Sequence, residues 1–317
     1  MTQRSPAPRN RTLQLSDRDR HRLIPRLLSV ADVAQPPFPS GTLCADCLAI
    51  APQLPAQSVD LLILDPPYNL TKNFHGYRFN QQSVEDYSQW LDQVITAFLP
   101  TLTPTASLYI CGDWFSSASI FTVVSHHFTV RNRITWEREK GRGAKANWKN
   151  ASEDIWFCTV GDRYTFNVDD IKLRRRVLAP YRSATGQPRD WDATSSGKFR
   201  DTFPSNFWSD ITIPFWSMPE NTAHPTQKSE KLIAKLLLAS SHPGDRILDP
   251  FVGSGTTSVV AKKLNRNYLG IEQNLDYCLI TERRLEYADH HAKIQGLADG
   301  VFWERNTLAE QLRSHGD

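Results

Sequence analysis

Residues 61–68 read Leu-Leu-Ile-Leu-Asp-Pro-Pro-Tyr, and this stretch decides the fold. The apolar run predicts a strand buried on both faces, as in a parallel sheet. Asp65 then lies at the carboxyl end of that strand, the edge at which open α/β sheets bind ligands. Pro66 and Pro67 fix the backbone and remove two amide donors, so the chain leaves the sheet in a stiff turn. An acid, free carbonyl acceptors and the Tyr68 ring together suit a planar ligand that carries an NH2 group.

Residues 245–257 form a second informative stretch, Asp-Arg-Ile-Leu-Asp-Pro-Phe-Val-Gly-Ser-Gly-Thr-Thr. A short strand is expected to end at Asp249. Gly253 and Gly255, which follow it, allow a ligand to approach the backbone closely. One of the two threonines that follow can cap the next helix. The next predicted strand ends in Glu272, and an acid at about that distance from a glycine turn commonly binds ribose hydroxyls. The pattern predicts a nucleoside site.

These motifs resemble those of the S-adenosylmethionine-dependent DNA amino-methyltransferases. Asp65-Pro66-Pro67-Tyr68 looks like their catalytic motif and residues 249–257 look like their cofactor loop. His224-Pro225-Thr226-Gln227-Lys228 resembles a third signature ahead of that loop, although Ser229 stands where proline is usual. The catalytic motif precedes the cofactor motif, with a long insert between them, which matches the circularly permuted β group. The resemblance covers roughly residues 40–290.

The resemblance implies an α/β fold, a Rossmann-like, mostly parallel sheet with helices on both faces, and a basic target-recognition insert. It implies catalytic roles for Asp65, Pro66, Pro67 and Tyr68, and S-adenosylmethionine as the cofactor. The expected cofactor contacts are Asp46, Cys47, Asp249, Phe251, Gly253, Gly255, Thr256, Glu272, His224, Thr226 and Lys228. Two alternatives stay open, because Asp249 can serve as a local cap and Lys228 as a surface residue of its helix.

The target chemistry follows from the amine. The NH2 of adenine or cytosine is a poor nucleophile because its lone pair is delocalised, whereas a sulfonium methyl is already activated, so alignment is the main task. The Asp65 carboxylate and the Pro66 carbonyl can accept the two amine hydrogens, and Asp65 stabilises the charge that develops on nitrogen. Tyr68 is expected to stack on the base. The base must be flipped out of the duplex to reach this pocket.

The form Asp-Pro-Pro-Tyr favours adenine N6 as the target. The alternative is cytosine N4, whose enzymes more often carry serine in place of Asp65. A third hypothesis, a non-catalytic nucleic-acid-binding module, requires a damaged motif, and no motif is damaged. A carbon-5 cytosine enzyme requires a Pro-Cys signature that the chain lacks.

We divide the chain into five parts: a basic arm with a short helix (1–35), a catalytic half (36–136), a DNA-recognition insert with a returning strand near 154–159 (137–222), a cofactor half (223–292) and a tail (293–317). Within these parts the sequence predicts disorder over residues 1–14, a helix over 16–31, a polar loop over 69–82, a helix from a Ser83 cap to about Leu99, an irregular insert over 137–152 and about 161–222, and a helix over 225–239.

The insert is basic. Residues 131–200 hold 16 Lys or Arg against 9 Asp or Glu, and six of the nine tryptophans lie between Trp136 and Trp216. Such a segment suits DNA, because cations neutralise phosphates and a few side chains read bases; a solvated face with ordinary core tryptophans is the alternative. The predicted DNA contacts are Arg138, Arg142, Lys145, Arg174, Arg175 and Arg176. The basic first 26 residues can either follow DNA or be dispensable.

Composition indicates a cytoplasmic enzyme. No apolar run is long enough to span a membrane, and the N-terminal segment is no secretory signal. Five scattered cysteines indicate reduced thiols. Cys44 and Cys47 form a C-x-x-C, but no second ligand pair exists, so no metal is expected. The expected partner is double-stranded DNA and not a membrane; a homodimer and a separately encoded cognate restriction endonuclease stay open.

Overall fold

A computed structural model describes residues 9–74, 77–138, 146–178, 181–194, 197–305, 307 and 311. Its strands are β1 Gly41–Cys44, β2 Val59–Leu64, β3 Lys72–Phe74, β4 Tyr77–Phe79, β5 Leu102–Gly112, β6 Thr129–Glu137, β7 Ser152–Thr159, β8 Leu173–Arg176, β9 Asp192–Thr194, β10 Gly197–Thr202, β11 Phe207–Trp208, β12 Arg246–Asp249, β13 Asn267–Glu272, β14 Leu297–Ala298 and β15 Val301–Trp303. Its α-helices are α1 Asp17–Leu23, α2 Val30–Val33, α3 Cys47–Ile50, α4 Val84–Phe98, α5 Ser117–His127, α6 Glu230–Ser240, α7 Thr256–Lys263 and α8 Leu275–His290.

The main sheet has the strand order β1-β13-β12-β2-β5-β7-β6-β11. The first five strands run parallel, β7 is antiparallel to both of its neighbours, and β11 is parallel to β6. This arrangement confirms the predicted fold class. The tips of β2, β12 and β13 therefore meet at one edge of the sheet, where Asp65 and Glu272 lie.

Strand β2 is buried on both faces and leads into the turn Asp65–Tyr68, which holds the predicted catalytic motif and is called the catalytic turn below. Leu61 and Ile63 pack in one apolar cluster with α6, α7 and α8, whereas Leu62 and Leu64 pack in a second cluster with α4 and α5. Burial of each such side chain contributes about 1.5–3 kcal/mol. Packing from both sides fixes the point at which the chain leaves the sheet at Asp65.

A second sheet, with the order β14-β15-β8-β10-β9, forms from the insert and the C-terminal segment. The prediction that residues 161–222 are irregular was therefore wrong for β8, β9, β10 and β11. Strand β15 lies parallel to β8, with Phe302 beside Leu173. Residues 297–303 thus pair with the insert, whereas the five-part division into domains stays a prediction.

The N-terminal segment also differs from the prediction. Residues 1–8 lie outside the described part, but the backbone amides of Arg11 and Leu13 donate hydrogen bonds of 2.7 and 2.9 Å to the carbonyls of Trp216 and Asn221. Disorder was thus a wrong prediction for this stretch. The predicted helix over 16–31 ends at Leu23, because the 3₁₀ turn that follows contains a proline, which lacks an amide donor.

Arginines of α1 face a helix of the cofactor half. Arg20 forms an ion pair with Asp276, and Arg22 forms one with Glu286. Both acidic residues belong to α8. This part of the basic arm is therefore packed on the protein, and Arg20 and Arg22 already have carboxylate partners.

Side-chain caps explain where the helices near the site begin. Ser83 accepts a hydrogen bond from the amide of Asp86 and caps α4, as predicted. Ser229 caps α6 through the amide of Leu232, so that helix begins later than the predicted residue 225. No helix in the described part of the chain is long and apolar enough to cross a membrane.

Candidate active site

A cleft of about 280 Å³ opens at the strand tips and is lined by both motifs. Asp65 and Gly253, far apart in the chain, lie on the same cleft. The sequence-predicted residues that line it are Asp46, Cys47, Asp65, Pro66, Pro67, Tyr68, Arg138, His224, Thr226, Lys228, Asp249, Phe251, Gly253, Thr256 and Glu272. Gly255 is not among the lining residues, nor are Arg174, Arg175 and Arg176. Arg142 and Lys145 lie outside the described residues.

The carbonyls of the catalytic turn differ in their hydrogen-bond partners. The Pro67 carbonyl accepts a 3.0 Å hydrogen bond from the Tyr87 hydroxyl, and the Tyr68 carbonyl accepts one from the amide of Leu70. Pro66 is buried and lines the cleft, and no donor from the described residues reaches its carbonyl. Buried carbonyls are nearly always paired. The Pro66 oxygen is thus an acceptor available to a ligand.

The far end of the turn is held by Asn69. Its amide donates a 3.0 Å hydrogen bond to the Ser116 hydroxyl, and its side chain exchanges two hydrogen bonds with the backbone of Gln82. These contacts close the loop that follows the catalytic motif. Within that loop β3 and β4 form a hairpin, and Phe79 packs on Trp90 with 5.7 Å between ring centroids. The described residues of the predicted polar loop therefore form paired strands beside the cleft.

Lys228 contacts Asp65, the predicted catalytic acid. Its ammonium lies 2.7 Å from each oxygen of Asp65, 3.0 Å from the Tyr68 hydroxyl and 3.3 Å from Glu153. The sequence placed Lys228 at the cofactor's carboxylate end, whereas its contacts are with the catalytic motif. Burial disfavours the ammonium, but the Asp65 and Glu153 carboxylates raise the pKa of Lys228 above its ordinary value.

Glu153 is a residue that the sequence reasoning missed. It is 3% exposed, accepts a 3.1 Å hydrogen bond from Tyr68 and forms an ion pair with Arg138. Burial, and then the neighbouring Asp65 and Glu153 carboxylates, raise the pKa of Tyr68. An acid at the start of an apolar strand was the available signal, but the predicted strand began one residue later.

The cofactor half of the cleft contains a buried acid without a cation. Asp249 accepts a 2.6 Å hydrogen bond from the Thr257 hydroxyl and a 3.0 Å bond from the amide of Phe251. Burial, opposed by these two hydrogen bonds, raises the pKa of Asp249 to about 7. No cation among the described residues forms an ion pair with it. A positively charged ligand group would complete this site.

Hydrogen bonds from buried side chains stabilise the glycine turn, residues 253–255. The predicted threonine cap was wrong: Gly255, with φ +82°, is the N-cap residue of α7, and Thr256 donates to the Lys228 carbonyl. Buried Arg284 donates to the Ser254 carbonyl and to the Thr256 hydroxyl, at 2.8 and 3.0 Å. The cofactor loop and the segment that carries Lys228 are therefore hydrogen-bonded to each other.

Glu272 lies at the tip of β13 with both oxygens oriented by the backbone. The amide of Gly253 donates to one oxygen at 3.2 Å and the amide of Asn274 to the other at 2.8 Å. Burial raises the pKa of Glu272 despite these bonds. Asp46 caps α3 through the amide of Leu48 and also lines the cleft. Each carboxylate keeps further acceptor capacity for ligand hydroxyls.

The comparison with family models identifies the chain. The model of the N6/N4 DNA methylase family matches residues 59–283. The chain belongs to this family. It is an S-adenosylmethionine-dependent DNA methyltransferase, as its motifs predicted.

Similar proteins agree with this assignment. The methyltransferase is 35% identical over 277 residues to the DNA adenine methyltransferase YhdJ of Escherichia coli (strain K12). The aligned region covers 84% of this chain and 90% of the relative. It is 31% identical over 251 residues to the Type II methyltransferase M.HpaI of Haemophilus parainfluenzae, covering 77% and 73% of the two chains.

Solved structures show the same fold. The M1.HpyAVI–SAM complex aligns with a TM-score of 0.53 at 22% identity, over 77% of this chain and 98% of the other. The cytosine-N4-specific PvuII DNA methyltransferase aligns with a TM-score of 0.57 at 16% identity, over 80% and 92%. Both a SAM-bound enzyme and a cytosine-N4 enzyme therefore share the architecture of this methyltransferase.

The cleft of the methyltransferase fits S-adenosylmethionine. The carboxylates of Asp249 and Glu272 match the cofactor's ammonium and hydroxyl donors. Phe251 and Trp90, with ring centroids 6.1 Å apart, provide an apolar wall. Gly253 has φ +54°, and a Cβ there would lie 2.9 Å from the His224 ring. Glycine therefore suits this backbone conformation and leaves space beside the His224 ring.

The predicted DNA contacts have different environments. Arg138 lies in the cleft and is paired with Glu153. Arg174 donates two 2.8 Å hydrogen bonds to Asp201 and lies over the Trp303 ring, whereas Arg175 and Arg176 are exposed. Of the six tryptophans from Trp136 to Trp216, Trp136, Trp191 and Trp208 are buried core residues.

Proposed function

We propose that the methyltransferase modifies N6 of adenine in double-stranded DNA. The observation that carries the proposal is the acceptor pair at the catalytic turn: the Asp65 carboxylate and the Pro66 carbonyl, which accepts no hydrogen bond from the described residues, belong to residues on one cleft with the cofactor motif. The Asp-Pro-Pro-Tyr form and the 35% identity to an adenine methyltransferase favour adenine over cytosine.

The residues of the cleft prepare the amine. The Asp65 carboxylate and the Pro66 carbonyl each accept one hydrogen of the NH2 group, which orients the nitrogen and frees its lone pair. Asp65 stabilises the positive charge that appears on that nitrogen. Tyr68 stacks on the base, which must leave the duplex to reach the turn. Bound S-adenosylmethionine supplies the activated methyl group.

The other residues of the cleft hold the cofactor. We assign the ribose hydroxyls to Glu272, the ammonium of the methionine part to Asp249, and the adenosine to Asp46, Cys47 and Phe251. The backbone at Gly253, with His224 and Thr226, borders the methionine part, and Gly255 and Thr256 set the turn. Lys228 belongs to the catalytic side of this assignment, because its ammonium contacts Asp65.

The DNA duplex is proposed to lie along the insert, which supplies Arg138, Arg142, Lys145, Arg175 and Arg176 as contacts, whereas Arg174 is assigned to its ion pair with Asp201. A DNA substrate implies a cytoplasmic location. Two further proposals concern partners, namely a homodimer and a separately encoded restriction endonuclease. Light scattering of the purified enzyme tests the first, and survival of a host challenged with candidate endonucleases tests the second.

The target base is tested by incubating unmethylated duplex DNA with the enzyme and isotope-labelled S-adenosylmethionine. Digestion to nucleosides and mass spectrometry should then show labelled N6-methyladenine. Asp65→Ala should abolish the product while cofactor binding, measured by calorimetry, is retained. Labelled N4-methylcytosine without N6-methyladenine would establish the alternative target. Turnover by Asp65→Ala would remove Asp65 from the mechanism.

A further inference from the structure

The ammonium of Lys228 lies between two carboxylates inside the catalytic site. It is 2.7 Å from both Asp65 oxygens and 3.3 Å from Glu153, and the Lys228 and Glu153 side chains are 6% and 3% exposed. A lysine is seldom buried to this degree without a specific partner. This lysine has two partners, and one of them is the catalytic acid.

The contacts leave a single acceptor position on Asp65. A carboxylate has about four acceptor sites. Lys228 occupies one on each oxygen, and the Tyr68 oxygen lies 3.1 Å from both Asp65 Oδ1 and Glu153, so it fills a second position beside Oδ1 whichever of the two carboxylates its single hydrogen points to. Among the described residues no other donor reaches Oδ2. The remaining site on Oδ2 is therefore the one that can accept a hydrogen of the target amine.

Charge explains why a second carboxylate is needed. Methyl transfer places positive charge on the amine nitrogen, and an uncompensated ammonium beside it would oppose the reaction. Glu153 places a second negative charge 3.3 Å from Lys228, and it shares this charge with Arg138 through an ion pair. Glu153 therefore offsets part of the Lys228 charge while Lys228 orients Asp65.

We propose that Lys228 is a positioning residue that acts through Asp65. Together with Tyr68 it fixes the plane of the Asp65 carboxylate so that Oδ2 accepts a hydrogen of the target amine, and Glu153 offsets the positive charge of Lys228. The proposal rests on amine methylation, and it assigns Lys228 to the acceptor of the target base instead of the cofactor's carboxylate. Other titratable or charged groups around Asp65 come from several elements: Tyr68, Tyr87, Cys111, Asp113, Arg138, Glu153 and Asp249.

The test compares Lys228→Met, Lys228→Arg and Glu153→Gln by the pH dependence of kcat. Cofactor and DNA are kept saturating, so that titration of Asp249 in the free enzyme does not enter. Lys228→Met removes a cation beside Asp65, so its kcat should fall and its acid limb should move up by about 1–3 pH units. Glu153→Gln removes an anion, so its acid limb should move down. Lys228→Arg keeps the charge and should keep the wild-type midpoint.

A matched control is Lys262→Met, which removes a lysine from an ion pair with Asp289 outside the cleft and should leave the profile unchanged. Opposite shifts for Lys228→Met and Glu153→Gln are not expected from loss of packing. If Lys228→Met does not fold, Glu153→Gln and Lys228→Arg still test the proposal. A Glu153→Gln variant whose pH midpoint of kcat equals that of the wild type overturns it.

Two other results overturn it. If Lys228→Met weakens S-adenosylmethionine binding in calorimetry while its kcat and pH midpoint equal those of the wild type, Lys228 serves the cofactor. If the wild-type enzyme methylates neither adenine nor cytosine, the proposed function and this inference fail together. A wild type that methylates DNA, with variants that share its midpoint, overturns the role of Lys228 alone.

Discussion

The hydroxyl of Tyr87 donates a 3.0 Å hydrogen bond to the carbonyl of Pro67. Tyr87 belongs to α4, is fully buried and packs edge-on against Phe79. A proline has no amide donor, so the carbonyl is the only backbone group through which the fold can hold this position. The core helix therefore positions the catalytic turn one residue beyond the Pro66 carbonyl.

Tyr87→Phe removes this hydrogen bond and keeps the ring. We expect a loss of about 1 kcal/mol in the free energy of unfolding and a fall in kcat of up to about 10²-fold, because the turn loses its alignment. Denaturation and methylation assays measure the two effects. Tyr109→Phe is the control, since it removes a 2.8 Å bond to Ser240 outside the cleft; it should lower stability and spare kcat. Equal kcat values for both variants would show that the Pro67 anchor is dispensable.

Asp249 makes cofactor affinity depend on pH. Burial raises the pKa of its carboxylate to about 7, and a bound cation favours the ionised form. S-adenosylmethionine affinity should therefore increase as pH rises through about 7 and level off above it, and binding below that pH should release a proton. Calorimetry in two buffers that differ in ionisation enthalpy measures both the affinity and the proton release.

The control for this effect is Asp249→Asn, which keeps an acceptor for the amide of Phe251 but cannot titrate. Its affinity for the cofactor should be lower at pH 8 and nearly constant between pH 6 and pH 8. A variant that keeps the wild-type pH slope would assign the titration to another group, and Glu272 would be the next candidate.

The parts of the fold that sequence predicted are those set by local patterns. The apolar run of β2, the prolines after it, the glycine turn after β12 and the Ser83 cap each specify structure within a few residues. Parallel pairing then brings Asp65 and Gly253 to one edge. The site could be assembled from the sequence because strand tips of a parallel sheet meet.

The parts that sequence did not predict depend on distant partners. Strand β8 pairs with β15, far along the chain, and neither has more than four residues, so no local pattern marks the second sheet. Glu153 enters the site because β7 runs antiparallel, which places its first residues at the carboxyl edge of β2. The resemblance assigned Lys228 to the cofactor, and that role stays a prediction, because no sequence pattern showed that its long side chain contacts Asp65.

The exposed arginines of β8 are expected to contact DNA phosphates. Neutralising Arg175 and Arg176 together should weaken DNA binding and reduce the slope of log affinity against log salt by up to about 2. Titrations at several salt concentrations measure this slope. Side chains alternate along a strand, so the single variants should show which face of the sheet meets the duplex.

Arg174→Ala is the control for that experiment, because Arg174 is engaged by both oxygens of Asp201 and covers Trp303. It should lower the melting temperature and leave the salt slope unchanged. If the double variant keeps the wild-type slope, β8 does not belong to the DNA surface. A reduced slope for Arg174→Ala would instead show that its ion pair opens on DNA.

Gly253→Ala should weaken cofactor binding. The residue has φ +54°, and the new Cβ would lie 2.9 Å from the His224 ring, so the ring must move into the cleft wall. The left-handed backbone itself destabilises a non-glycine residue by about 1–2 kcal/mol. Gly300→Ala separates the two effects, because that glycine has φ +73° and nothing within 4 Å of the new Cβ. Both variants should unfold more easily, but only Gly253→Ala should lose affinity for S-adenosylmethionine in calorimetry. If Gly253→Ala binds the cofactor normally, the contact between Gly253 and His224 is not part of the cofactor site.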